Sequence, residues 1–130
     1  MLLTEKMLDD LSAKAKESPR LRINFNLHED TRDSVQRLFN AMEPGTKVPI
    51  HRHQNAAETI IVLRGKLTVR YFDSSKKETE SFLLEAGSEN FGMHVPKGVW
   101  HGVDVIASKT VILEIKEGPY EPLTETDILS

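Results

Sequence analysis

The chain has 130 residues, 38% of them hydrophobic and 28% charged, which fits one globular domain with a core of moderate size. Its net charge of -3 argues against a broad nucleic-acid surface, and no apolar stretch approaches the length of a membrane span. It has no cysteine, so disulfides, thiolate metal sites and cysteine nucleophiles are excluded. The start lacks the basic and continuously apolar segments of a signal peptide, and a cytoplasmic location is the expectation.

The first predicted element is a short helix. Thr4 can cap it, it runs to about Glu17, and Leu8, Leu11 and Ala15 share one face. Ser18-Pro19 stops it, because proline disfavours helical geometry in the residue before it. From Leu21 to His28 the period changes to two, as in a half-buried strand, and Arg22, Asn24, Asn26 and His28 lie on its polar face. After a polar connection, Val35 to Met42 reads as a strand with a helical alternative, and Pro44-Gly45 turns the chain. Thr59 to Arg64 is rich in β-branched residues. Gly65-Lys66 reads as a tight turn, which would make Leu67 to Phe72 the hairpin partner of that strand. Further strands are expected over Glu78–Leu84, Phe91–Val95, Trp100–Ile106 and Thr110–Lys116, and regular structure should end at Gly118–Pro122, before a polar tail. Many short strands punctuated by Gly and Pro indicate an all-β sandwich or barrel. The expected organisation is one domain, with a helical lead-in over 1–19, a β-sandwich or barrel over 20–118 and a tail over 119–130.

Chemistry concentrates in the run from Gly45 to Gly65. His51 and His53 stand two apart, so in a strand both imidazoles point to one side, and Glu58 can reach the same point from a neighbouring segment. The cluster Pro96, Gly98, Trp100, His101 can supply a third histidine. Three imidazoles and one carboxylate suit one divalent transition metal ion per chain. The set admits Fe, Mn, Ni or Zn without choosing among them, and it leaves positions open for water or substrate. By alternation, Arg52 and Trp100 should point away from such an ion.

Other polar residues are candidates for the surroundings. Asn24, Asn26, His28, Arg37 and Tyr71 could line a substrate pocket, and His94 could move a proton. Glu114 lies between Ile112 and Lys116 on one face of an apolar strand. An inward carboxylate there needs a partner, such as Arg37, or a role as a catalytic base.

The positions Gly45, His51, His53, Glu58 and Gly65 match the first cupin motif in order and spacing. The second motif is matched at Pro96, Gly98 and His101, while its opening Gly falls at Asn90 and its closing Asn at Val105. Ser18-Pro19-Arg20, Asn24 to His28, Val35-Gln36-Arg37, Trp100-His101 and Glu114 to Tyr120 extend the likeness, and the chain resembles the WbuC family of cupin-fold metalloproteins over almost its whole length. The resemblance implies a single-domain cupin (a double-stranded β-helix, or jelly-roll, barrel), a divalent metal and an association with polysaccharide or O-antigen gene clusters. It implies no established reaction.

The leading functional expectation is a metal-dependent enzyme acting on a small sugar or sugar derivative by isomerisation or epimerisation. An Fe(II)-dependent dioxygenase and a non-catalytic module binding a carbohydrate or small acid are the alternatives. The expected partner is a small molecule, without nucleic acid or membrane. Exposed strand edges make a homodimer plausible.

Overall fold

A computed structural model of the chain describes residues 1–129. Thr4 caps the first element: its Oγ1 accepts a hydrogen bond from the Met7 backbone N–H at 3.2 Å, and helix α1 runs Glu5–Glu17. Ser18 turns to extended geometry before Pro19. Leu8, Leu11 and Ala15 are buried against Phe39, Ala41 and Val111 of the sheet beneath. Arg64 fastens the helix from the sheet side through Glu5 and Asp9, with 2.6 Å to the latter.

The strands are β1 Arg22–Asn26, β2 Val35–Met42, β3 Ile50–His51, β4 Glu58–Arg64, β5 Lys66–Phe72, β6 Glu78–Glu85, β7 Gly92–Val95, β8 Trp100–Val105, β9 Thr110–Glu117 and β10 Ile128–Leu129. They form two five-stranded antiparallel sheets, ordered β1-β2-β9-β4-β7 and β10-β3-β8-β5-β6. This is the all-β jelly-roll with a short N-terminal helix that the sequence leads one to expect. No helix among the described residues is long and apolar enough to cross a membrane.

Two local expectations are corrected. First, β4 and β5 are not a hairpin: β4 pairs with β7 and β9, and β5 with β6 and β8. Gly65 is the corner where the chain passes from one sheet to the other. It has φ +83°, and an added Cβ would stand 2.2 Å from Thr110 Oγ1, so only glycine fits this corner. Turn and corner both call for a left-handed residue, and a sequence reads the same for each. Second, the tail is not wholly irregular. A 3-10 turn at Glu125–Asp127 leads into β10, which pairs with β3 so that Ile128 stands opposite His51. The strand reading of Val35–Met42 holds and its helical alternative falls, because both faces of the second half are covered. Phe39 and Ala41 pack under α1, whereas Met42 belongs to the barrel core.

The interior changes character along the strands. Val62, Leu67, Val69, Leu84 and Val105 fill one end as a closed apolar core. Inward positions then turn polar toward the other end: Ile60 gives way to Glu58 on β4, Val103 to His101 on β8, and Ile112 to Glu114 and Lys116 on β9. That polar end is where these strands gather ionisable groups around a cavity.

Candidate metal centre

His51, His53, Glu58 and His101 come together at the polar end, with one donor atom from each lying within 4.8 Å of the others. Three segments deliver them. His51 closes β3 and stands directly opposite His101 on β8, and Glu58 opens β4 in the facing sheet. His53 lies beyond the end of β3, so strand alternation does not aim it as expected. The loop does so instead: its His53 carbonyl accepts from the Gly98 N–H at 2.9 Å, and its neighbours are tied to the tail. Asp127 Oδ1 accepts from Gln54 Nε2 at 2.6 Å and from Arg52 Nε at 3.4 Å, while the Asp127 carbonyl accepts from the Arg52 N–H at 3.0 Å. On the outer side, the Arg52 guanidinium lies 4.4 Å over the Trp100 ring, which links the strands bearing His51 and His101.

Hydrogen bonding fixes how the rings present their nitrogens. His51 Nδ1 stands 2.8 Å from the Pro49 carbonyl, and His101 Nδ1 stands 3.0 Å from the Val99 carbonyl. A carbonyl only accepts, so each Nδ1 carries its proton and each Nε2 is turned to the centre. His101 Nε2 then meets a second acceptor, Glu58 Oε1, at 2.8 Å. With Glu58 ionised, a ring facing acceptors at both nitrogens is an imidazolium or holds a cation at Nε2. That is the environment a metal ion would complete, with its charge in place of the proton. The donor set therefore fits a divalent transition metal.

The electrostatics agree. Burial disfavours the charged form of His101, but the Glu58 hydrogen bond and charge outweigh it and raise its pKa. Burial likewise opposes ionisation of Glu58, and His101 overcomes it, holding the carboxyl at about 2. His53 is lowered to about 4 by burial and by the Lys116 charge, despite Glu58, and His51 is lowered by burial and by His101. At neutral pH two of the three imidazoles are thus already free of a competing proton.

A cavity of about 180 Å³ opens beside these donors. Its polar wall is Arg22, Asn40, Glu114 and Lys116, and its apolar floor includes Met42, Ile60 and Ile112. Glu114 faces inward as expected, but its partner is Asn40, whose Nδ2 donates to Glu114 Oε1 at 3.2 Å. Burial, together with the Glu58 charge, pushes Glu114 up to about 7. Arg37 is exposed on the opposite face of β2 and does not pair with it.

The other expected pocket residues fall elsewhere. Asn24 and Asn26 share the inner face of edge strand β1 but stand in solvent, where no further strand covers them. His28 is buried outside the cavity, and its Nδ1 accepts from the Arg37 backbone N–H at 3.0 Å, fastening β1 to β2. Tyr71 stands opposite His101 but packs edge-on against Phe82 at 5.0 Å and is part of the core boundary. His94 is exposed on the outer face of β7 and bonds Thr59 Oγ1 at 3.1 Å, so it is not placed to move a proton in the cavity. Three polar cavity residues escape the sequence reading. Arg22 shares the polar face of Asn24 but, at the start of β1, reaches the interior; Lys116 figures in the sequence only as a neighbour of Glu114; and Asn40, on the inner face of β2, carries no signal of its own.

Likeness to solved structures places the fold. KdgF from Halomonas sp. superposes with a TM-score of 0.61 at 15% identity, covering 80% of this chain and 84% of that one. The cupin domain of Schizosaccharomyces pombe Cnp3 gives 0.58 at 17%, covering 73% and 59%. An oxalate oxidase in complex with the substrate analogue glycolate gives 0.58 at 19%, covering 78% and 52%, so this chain spans about half of that protein. At such identities the likeness establishes the fold alone, which is that of a single-domain cupin. No curated protein matches the sequence. The family described as "Domain of unknown function (DUF6016)" matches residues 3–84, more than half of the chain, and the protein belongs to that family.

Proposed function

We propose that this protein is a mononuclear metal enzyme of the WbuC type, acting on a small sugar derivative in polysaccharide or O-antigen metabolism by isomerisation or epimerisation. His51, His53, Glu58 and His101 would hold the metal, which when bound supplies Lewis-acid polarisation of a substrate oxygen. The observation that carries the reading is Glu114. A carboxyl held at about 7 exchanges its proton readily at neutral pH, and this one shares a cavity wall with the four donors. Asn40 orients it through the 3.2 Å hydrogen bond. The apolar floor of Met42, Ile60 and Ile112 limits water around the carboxyl, which favours transfer between Glu114 and a carbon-bound proton of the substrate.

The test is solvent deuterium wash-in, followed by NMR, over a panel of aldoses, ketoses and sugar acids with zinc- or manganese-loaded protein. The expected result is exchange at a carbon next to a carbonyl, slowed by roughly 10² to 10⁴ in Glu114→Gln with metal content unchanged. Loaded protein that exchanges no substrate of the panel, or a Glu114→Gln variant as fast as wild type, would contradict the reading.

A further inference from the structure

The inner cavity is lined by two cations that form no salt bridge among the described residues, Arg22 and Lys116, the latter with its Nζ 5.8 Å over the Tyr120 ring. Glu58 pairs with His101, and Glu114 is bonded by Asn40. Arg22 is anchored by neutral acceptors only. Its Nη1 donates to Thr46 Oγ1 at 3.2 Å and to the Lys47 carbonyl at 2.9 Å, and Thr46 Oγ1 is itself held by donating to the Arg20 carbonyl at 2.6 Å. A guanidinium fixed in this way keeps unused donors and its full charge beside the cavity. Lys116 stands opposite Glu58 across the β4–β9 pairing and lines both the inner cavity and an outer cleft of about 270 Å³ that the tail encloses. A bound divalent ion adds to this excess of positive charge. Asn40 Oδ1, on the same wall, is buried without a hydrogen-bond partner and is left free to accept.

We propose that the inner cavity is an anion subsite in which Arg22 and Lys116 hold the carboxylate of a hydroxy acid, while Asn40 accepts from one of its hydroxyls. The ligand class is therefore a sugar acid and not a neutral sugar, an assignment that deepens and rests on the metal-enzyme reading above. The two cavities adjoin at His53 and Lys116, so the hydroxylated remainder of the chain can extend past Gln54, Asn55 and Thr124 in the outer cleft.

Calorimetric titration of the full chain, zinc-loaded and metal-free, with D-glucuronate and D-glucose tests this, because the two sugars differ in one carboxylate. Glucuronate should bind at least about tenfold tighter than glucose. Arg22→Gln and Lys116→Gln should each weaken glucuronate by about tenfold and glucose by much less, with zinc content unchanged. Arg22→Lys should recover part of the loss, and Trp100 fluorescence verifies folding of each variant. Equal affinity for the two sugars, or zinc-replete Arg22→Gln and Lys116→Gln proteins that bind glucuronate as wild type does, would overturn the anion subsite and leave the metal reading standing. If the chain takes up no zinc, the metal reading falls, and the metal-free titration still decides: an Arg22-dependent preference for glucuronate upholds the subsite, and its absence overturns it.

Discussion

The two ends of the barrel interior are built from the same strands and follow opposite rules. At the closed end, Leu67 and Val69 of β5 are fully buried and meet Val62, Leu84 and Val105. At the open end those same sheets present His51, His101, Glu58, Glu114 and Lys116 around a cavity. Closed-end residues gain from removing apolar surface from water, and their cost on truncation is a cavity. Open-end residues are held by specific partners, such as Val99 and Pro49 carbonyls for the rings and Asn40 for Glu114, at a desolvation cost that only those partners offset. Separating stability from chemistry within one barrel lets the polar end be assembled on strands whose positions the other end has already set.

This division can be broken deliberately. The largest effect is expected from Leu67→Ala, which should lower stability by about 2–5 kcal/mol in denaturant unfolding while folded molecules keep their metal stoichiometry. A parallel loss of metal would show that the two ends are not separable. Next comes a sharper probe of the open end. His101 is the imidazole whose pKa is raised, whereas His53 at about 4 and Glu58 at about 2 are unprotonated at neutral pH and His51 is lowered. Metal uptake must therefore displace the His101 proton. Just below the ordinary imidazole value of about 6.5, calorimetry in buffers of different ionisation enthalpy should report about one proton released, and affinity should fall as pH is lowered. Above the raised His101 pKa the dependence should flatten. Glu114→Gln is the background for this measurement, so that the carboxyl near 7 does not contribute. Release of two or more protons would mean that His51 and His53 are not held neutral. The smallest effect is expected from Asp127→Ala, which unties Arg52 and Gln54 on either side of His53 and should weaken metal binding by roughly three- to tenfold with little change in global stability.

The donors were legible in the sequence because their spacing is local: His51, His53 and Glu58 fall within one short run, and the Pro96–Gly98–His101 turn announces the third ring. The strand pattern was legible for the same reason, as at Val35–Met42, where the expected and observed ends coincide. What could not be read was long-range. Gly65 marks a left-handed residue, but whether the chain reverses within a sheet or crosses to the other depends on partners far along the chain. Arg22, Asn24 and Asn26 share one face, yet only Arg22 meets the cavity, because β1 is an edge strand and its later residues have nothing above them. Periodicity gives the face and not its depth. The β10 pairing that frames the outer cleft involves only two residues, too short a strand to show any period.

Whether the open end of the barrel is a metal centre is decided by elemental analysis of untagged protein purified without metal-affinity chromatography, alongside His53→Ala. Wild type should carry close to one transition-metal ion per chain and the variant less than about a tenth of that. Wild-type protein that stays metal-free after incubation with Mn, Fe, Ni and Zn would contradict a metal centre there.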